Sequence, residues 1–515
     1  MTGHRLPDAI DTIPKALAFW AEFTPDAPAL ITPGRPAITY GVLHHRANAL
    51  ADSLRQCGIG QADRVVLLMP EGVELAVALL GTMSAAIAVP VNAALREAEL
   101  DIVLDGLGAA ATLVSAPPPM AIRRRLARHG VSVHEVQSDD GREAANAAPA
   151  GQLRCVPRPG DIALAEITSG TTGRPKRVPH THAALMADGR GRRDLFGLTS
   201  QDRALAVAPL TLSLGVCALI HTLAAGGAMI FPPAPDAPAL WGALIEERAT
   251  WMFPSAGLVE VLIRFLRDRP ALPPPPALRL VRVTAAPISD ETCDALSVRL
   301  GAPVLNSYSA TETGLIATAL PPPHEHRRGS VGRPIRQIRV VAADGEDAAL
   351  GVSGDIWVQT AGYFAGYLDG ATTGAAGLPT DGWYRTGDIG FLDEDRFLFL
   401  TGRLTELINR GGEKIAPAEV DAVLGAHPAV REAAAFSIPD ARWGEDVAAA
   451  VVLEEGQRLS AWELRAWALQ RLSPHKAPRR IWFVSELPRT VLGKVRRSEL
   501  RRLWLEQHAP DSGWR

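Results

Sequence analysis

Residues 168–176 read Thr-Ser-Gly-Thr-Thr-Gly-Arg-Pro-Lys. A loop of this kind offers backbone N–H groups that can converge on phosphate oxygens. The hydroxyls of Thr168, Ser169, Thr171 and Thr172 add donors between Gly170 and Gly173, and Lys176 adds charge. It is not a Walker A loop, which ends in Gly-Lys-Ser/Thr; here Pro175 precedes the lysine and Arg177 follows it. The mostly apolar run Ile162 to Ile167 just upstream suits a buried strand, so the loop leaves a strand end. The combination reads as a nucleotide-phosphate loop.

Four further clusters could do chemistry. Asn306-Ser-Tyr-Ser-Ala-Thr-Glu-Thr-Gly314 follows the short strand Val304 to Leu305 and offers an aromatic face (Tyr308), a hydroxyl (Thr311) and a carboxylate (Glu312). Trp383-Tyr-Arg-Thr-Gly-Asp388 places a carboxylate where a turn is expected, suited to bidentate acceptance from two ribose hydroxyls. Gly402-Arg403 opens a segment that runs through Gly411-Gly412 to Glu419, and Pro488-Arg-Thr-Val-Leu-Gly-Lys494 ends on a lysine behind a glycine. Singly each has a plainer reading as packing, turn or solvated basic face. Residues 471–502 carry a local excess of eight positive charges, which by itself suits an exposed basic surface.

The elements that must position these groups alternate. Tyr40 to Cys57 and Glu71 to Ala85 read as helices, Arg64 to Met69 and Ala86 to Val91 as strands. The pattern repeats through Leu100 to Val114, Arg203 to Leu223 and Ala228 to Ala249, implying parallel sheets covered by helices. From about Gly329 short strands at Ile338 to Ala342, Gly354 to Gln359 and Arg396 to Thr401 suggest a small β-rich unit. A compact α+β segment follows Gly402, with helices near Ala418 to Leu424 and Ala461 to Leu472. The main boundary falls at residues 402–406.

The chain has 515 residues, 47% hydrophobic and 21% charged, with a formal net charge of −3. Length suggests roughly three domains or subdomains, and the charge gives no reason to expect nucleic acid or a membrane as partner. Cys57, Cys155, Cys217 and Cys293 are scattered and form no zinc or disulfide framework, as expected of a cytoplasmic protein. The first twenty residues carry His4, Arg5, Asp8, Asp11 and Lys15, so no secretory segment is expected. Glu71 to Ala85 is too short and too weakly hydrophobic for a membrane span.

In this order the five motifs resemble the adenylate-forming superfamily of acyl-CoA synthetases, adenylation domains and luciferases, over nearly the whole chain. The resemblance implies an α/β protein. Its large N-terminal domain (residues 1–401) would hold two sheet-and-helix subdomains plus a small β-barrel, and a hinge at 403–406 would join a small mobile α+β C-terminal domain (402–515). It implies that residues 168–176 wrap the β- and γ-phosphates of ATP. Tyr308, beside Ser307, would pack against adenine opposite Ala285, Ala286 and Pro287. Thr311 would donate to the α-phosphate, Glu312 would hold Mg2+, and Asp388 with Arg403 would take the ribose hydroxyls. Lys494 would bridge the substrate carboxylate and the α-phosphate. Thr405 would be the hinge, and Gly411 with Gly412 would form a wall of the thiol channel after the C-terminal domain swings.

The implied activity is an ATP-dependent acid–CoA ligase making an acyl-adenylate with release of pyrophosphate. Its thiol would be CoA or the phosphopantetheine of an acidic carrier protein, and an enzyme acylating an amine is the alternative. Three positions depart from the family pattern. Thr211 and Leu212 replace an aromatic and a histidine that border the acyl pocket, Arg177 stands where glycine is usual, and Thr405 where Asp or Lys is common. Leu212, Leu214, Phe253, Ser255 and Gly257 are the expected pocket, apolar and suited to an aliphatic or aromatic acid. Glu406 to Ile415 also resembles ligases for small dicarboxylates such as oxalate. His324 and His326 lack a third ligand, and His180 and His182 either line the site or cap a helix.

Overall fold

The computed structural model describes residues 4–136, 157–168, 176–284, 288–360, 362–364, 366–368, 381–490 and 493–508. Two sheets dominate the first four hundred residues. The first has six strands in the order Ser132–Glu135, Ala109–Val114, Arg64–Leu67, Ile87–Pro90, Ile162–Thr168 and Lys176–Thr181, parallel except for the last pair. The second has nine, with the parallel series Leu280–Val283, Trp251–Met252, Arg203–Leu205, Ala228–Ile230 and Pro28–Ile31 at its centre. Val304–Ala310 joins Leu280–Val283 in parallel, then turns back on Gly314–Thr318.

Helices Val73–Met83 and Ser213–Ala225 fill the space between these sheets. Every residue from Leu75 to Met83 is buried, so this apolar helix is core. Among the described residues no helix is long and apolar enough to cross a membrane. Helix Ser213–Ala225 stops at Gly226, whose φ of 74° is left-handed and whose added Cβ would stand 2.6 Å from the ring of Trp20. Only glycine meets both demands. Trp20 donates its indole N–H to the Leu223 carbonyl at 2.7 Å, and Tyr40 donates its hydroxyl to Gly227 O at 2.7 Å. Each buried aromatic thus has its polar tip satisfied.

The small β unit is a four-stranded antiparallel sheet, Ile338–Val341, Gly354–Gln359, Trp383–Leu392 and Leu398–Arg403. Asp388, expected on a turn, lies inside the third of these strands, opposite Arg403. Past Arg403 the chain makes a 3-10 turn, Leu404–Glu406, and builds a separate five-stranded sheet with its own core around Ile408, Val420, Val447 and Leu464. The basic tail is not simply a solvated face. It forms helix Arg497–Gln507, and Arg497 turns inward to pair with Glu406 at 3.1 Å and Asp421 at 2.5 Å.

His182 is fully buried at the start of helix His182–Leu195, where Nδ1 accepts the Ile13 N–H at 3.3 Å. Thr181, not either histidine, caps that helix. Burial pushes the His182 imidazole down to about 4. As pH falls from the ordinary histidine value towards 4, the unfolded chain takes up a proton that the folded chain refuses. Stability should therefore decline in that window by about 3 kcal/mol, and be unaffected by this group above it. His182→Asn should flatten the acid limb in urea titrations between about pH 7 and pH 4.5.

Candidate active site

Thr168 and Lys176, the first and last residues of the phosphate-loop sequence, pair across two antiparallel strands. Ser169, Gly170, Thr171, Thr172 and Gly173 lie outside the described residues, as do Ala285, Ala286 and Pro287. Lys176 Nζ donates to the Tyr367 hydroxyl at 3.3 Å and lies 4.9 Å from that ring's centroid. Tyr367 in turn donates to Glu312 Oε1 at 2.8 Å. Burial, then the nearby Glu312 carboxylate, holds the Tyr367 phenol well above its usual range, so it is a donor at neutral pH. The loop lysine and the expected magnesium ligand are thus tied together through a residue 191 positions from Lys176. Glu312 is a buried carboxylate one residue after Thr311, and a hard oxygen donor of this type suits Mg2+.

Arg177, beside that lysine, donates from its guanidinium to the carbonyls of Val103, at 3.1 Å, and Asp105, which ties this edge strand to the end of helix Glu97–Leu104. His180 bonds Glu166 at 2.9 Å and packs edge-on to Tyr363, so it too serves the core.

Asp388 is the centre of the second half of the site. Its Oδ2 accepts the Tyr308 hydroxyl at 2.6 Å, and its Oδ1 pairs with Arg403 Nε at 2.5 Å. Tyr308 is buried against Ile316 and Ala317. Burial, then Asp388, keeps its phenol protonated. The strand Val304–Ala310 is longer than the sequence suggests and carries Ser307, whose hydroxyl donates to Val283 O at 2.8 Å. Thr284 Oγ1 donates to Ser307 O and meets Ser309 Oγ, both at 3.1 Å. These bonds lock two strand ends side by side, with Thr311 half-buried just beyond.

Lys494 reaches this cluster from the C-terminal unit. Its Nζ stands 3.5 Å from Glu406 Oε1. Burial lowers its pKa, with Arg403 acting in the same direction and Glu406 and Asp388 opposing. The turn carrying it is fixed by Thr490 N to Lys494 O and Gly493 N to Thr490 O, both 2.8 Å. Gly493 has φ +82°, and a Cβ there would fall 2.4 Å from Gly257 Cα. Backbone meets backbone at this point. Gly493→Ala should therefore lift the lysine turn off Gly257, lowering the adenylation rate about 100-fold with little change in melting temperature, as a pyrophosphate-release assay would record.

Gly411 and Gly412 form the exposed two-residue turn of hairpin 408–415, with φ of +61° and +101°. Both angles demand glycine, and a Cβ on Gly411 would strike Trp443 at 2.5 Å. In this arrangement the lysine turn, not the glycine pair, meets Gly257. Thr405 is exposed in the middle of the turn Leu404–Glu406.

On the acyl side, Ser255 caps helix Ala256–Arg267 and its strand end bridges to Thr284. Leu214 and Phe253 are buried and Leu212 half-buried. His324 and His326 are exposed, and neither belongs to the group of three metal-ligating side chains found among the described residues, Asp188, Cys217 and His221. Tyr367 and Tyr384, beside Glu312, and Glu406, beside Lys494, touch residues expected in the site, and nothing in the sequence singles them out.

This architecture of two sheets, a small antiparallel sheet and a C-terminal unit delivering a lysine defines an AMP-binding enzyme. The AMP-binding enzyme family matches residues 17–368, and its C-terminal domain matches 419–494. The chain belongs to this family. It is similar to the sulfoacetate–CoA ligase of Cupriavidus necator, 34% identical over 509 residues, covering 97% of this chain and 99% of the relative. The oxalate–CoA ligase of Arabidopsis thaliana is 33% identical, covering 96% and 99%. Among solved structures, ATP-bound MatB from Rhodopseudomonas palustris superposes with a TM-score of 0.85 at 28% identity, covering 96% of this chain and 99% of that one.

Proposed function

We propose that this protein is an ATP-dependent acid–thiol ligase that joins a small carboxylic acid to CoA through an acyl-adenylate, releasing pyrophosphate. The observation that carries the reading is the meeting of Lys494 with the Asp388–Arg403–Tyr308 cluster across the Gly493–Gly257 contact. A carboxylate is already a nucleophile at neutral pH, so no base is required. The difficulty is bringing two anions together. Catalysis then consists of positioning and charge neutralisation.

Asp388 would accept the ribose hydroxyls, with Arg403 and Tyr308 holding its carboxylate still. Lys176 and the loop before it would hold the outer phosphates. Thr311 would donate to the α-phosphate, and Lys494 would span it and the attacking carboxylate. Mg2+, held by Glu312, would neutralise phosphate charge. The proposed domains are residues 1–401 and 402–515, pivoting at 403–406 so that Gly411 and Gly412 replace Lys494 for thiol attack. CoA is the proposed acceptor. The relatives named as CoA ligases along their full length favour it over a carrier protein or an amine. The cytoplasm, where ATP and CoA are supplied together, is the proposed compartment.

The test is pyrophosphate release from ATP over a panel of carboxylic acids, with and without CoA, and mass spectrometry of the products. An acyl-CoA that forms only with ATP and magnesium supports the reading. Absence of acid-dependent pyrophosphate across the panel rejects adenylation, and adenylate that accumulates unchanged in CoA but acylates an amine rejects the acceptor.

A further inference from the structure

One cation on the acyl side of the site has no anion of its own. Arg282 stands third in the strand Leu280–Val283, at the centre of the nine-stranded sheet, and is 4% exposed. Val281 and Val283 face the helix layer on one side of the sheet, while Leu280 belongs to the other core, with Phe253 and Phe196. Alternation puts Arg282 on that second side. An arginine inside a buried strand is ordinarily paired. Here Nη1 is buried without a partner, and no hydrogen bond or ion pair reaches the side chain among the described residues.

What Arg282 does touch is aromatic. Its guanidinium carbon lies 3.4 Å from the Phe253 ring centroid and 5.1 Å from that of Phe196. Those rings pack against the guanidinium without offering it an acceptor, and its N–H edge is the part that recognises an anion bidentately. The nearest acid is spoken for. Asp188 accepts from Arg192 at 2.9 Å and His221 at 3.0 Å, with Arg336 3.8 Å away. Glu166 is bonded to His180 through Oε2, and its buried Oε1 has no partner among the described residues. Burial keeps His221 neutral and raises Cys217 far above neutrality, so no hidden thiolate compensates. Asp188 thus answers Arg192 and, at longer range, Arg336, while the buried charge of Arg282 meets no carboxylate in a direct pair among the described residues. Burial lowers the Arg282 pKa to about 9, which leaves it charged at neutral pH.

The location fits a substrate. Thr284, two residues on and on the same face, meets Ser309 Oγ near Thr311, and bridges to Ser255, two residues from the Gly257 that carries Gly493. One two-residue repeat of a strand, ~6.6 Å between Cα atoms, separates Arg282 from Thr284.

We propose that Arg282 binds a second anionic group, carboxylate or sulfonate, at the far end of the acid whose near carboxylate meets Lys494. This rests on the adenylation reading and names its substrate class: a short acid that is anionic at both ends. Leu212, Leu214 and Phe253 then clasp its short apolar stem.

The test compares acetate, propionate and butyrate with sulfoacetate, malonate and succinate, using wild-type, Arg282→Met and Arg282→Lys proteins. Pyrophosphate release by the wild type should favour at least one doubly anionic acid over its singly charged counterpart by about 100-fold or more. Arg282→Met should erase that preference, chiefly through KM, leave the singly charged acids within about threefold, and not lower the melting temperature, because it removes an unpaired buried charge. Arg282→Lys should restore part of it, more for the sulfonate than for the planar carboxylate. Equal loss with both classes of acid, a wild type that prefers the singly charged acids, or a marked fall in melting temperature would overturn the proposal. Calorimetric binding of malonate, succinate and sulfoacetate to the three proteins decides the matter separately from turnover. Tight binding lost in Arg282→Met upholds the site even where no pyrophosphate appears, and that outcome rejects adenylation alone.

Discussion

Lys494→Ala should slow adenylation by about 10²–10³-fold, roughly 3–4 kcal/mol in the barrier, while sparing thioester formation from a supplied acyl-adenylate. The ammonium sits where charge builds as carboxylate oxygen approaches phosphorus, between Glu406 on one side and Asp388 with Arg403 on the other. Alanine removes that charge and leaves Arg403 still held by Asp388, so nucleotide binding should change little. The two half-reactions separate the effect, because once pyrophosphate has left the lysine has no developing charge to meet. Equal losses in both steps would show that Lys494 supports the fold of its turn and nothing more. The pH profile gives a second reading. Burial lowers the Lys494 pKa, and the active form is the charged one. Adenylation should therefore hold at neutral pH and fall on the alkaline side earlier than an ordinary lysine would dictate.

Thr405→Pro should leave pyrophosphate release within about tenfold of wild type and cut acyl-CoA output by about 100-fold or more. Thr405 is exposed in the middle of the 3-10 turn Leu404–Glu406, flanked by Arg403 at φ −126° and Leu407 at φ −58°. Proline fixes its own φ near −65°, which such a turn accepts, and narrows Leu404 before it. The present arrangement stays reachable at a modest local cost. The rotation that would bring Gly411 and Gly412 to the site is what the ring obstructs. Stopped-flow measurement of both half-reactions is decisive, and wild-type thioester rates in the variant would move the pivot elsewhere.

Much of this was legible before any coordinates. The run from Ile162 to Lys176 predicts a strand followed by a phosphate loop, and the structure adds that a second antiparallel strand begins at Lys176. Helices expected at Tyr40 to Cys57 and Ala461 to Leu472 are found at Tyr40–Gln56 and Ala461–Leu469, the second ending three residues early, and the structure shows Thr39 and Ser460 capping them. What stayed hidden depends on contacts between distant residues. Nothing near Tyr367 announces that it joins Lys176 to Glu312, since its partners lie 191 and 55 positions away. Asp388 was placed on a turn because Gly387 precedes it, but Gly387, with φ +74°, kinks a strand that continues to Leu392. The basic tail misled for a related reason, because charge alone does not reveal that Arg497 faces Glu406 and Asp421.

The contact between Gly493 and Gly257 bears on how the enzyme lets go. Two glycines have almost no apolar surface to hide, so their touching is a matter of shape, with little adhesive strength of its own. The attraction across this contact that charge supplies is between Lys494 and Asp388. Such a clasp opens when those charges depart, without any greasy surface to peel away. Release should then quicken as ionic strength rises, and a bulkier side chain at position 257 would jam the clasp as surely as one at 493.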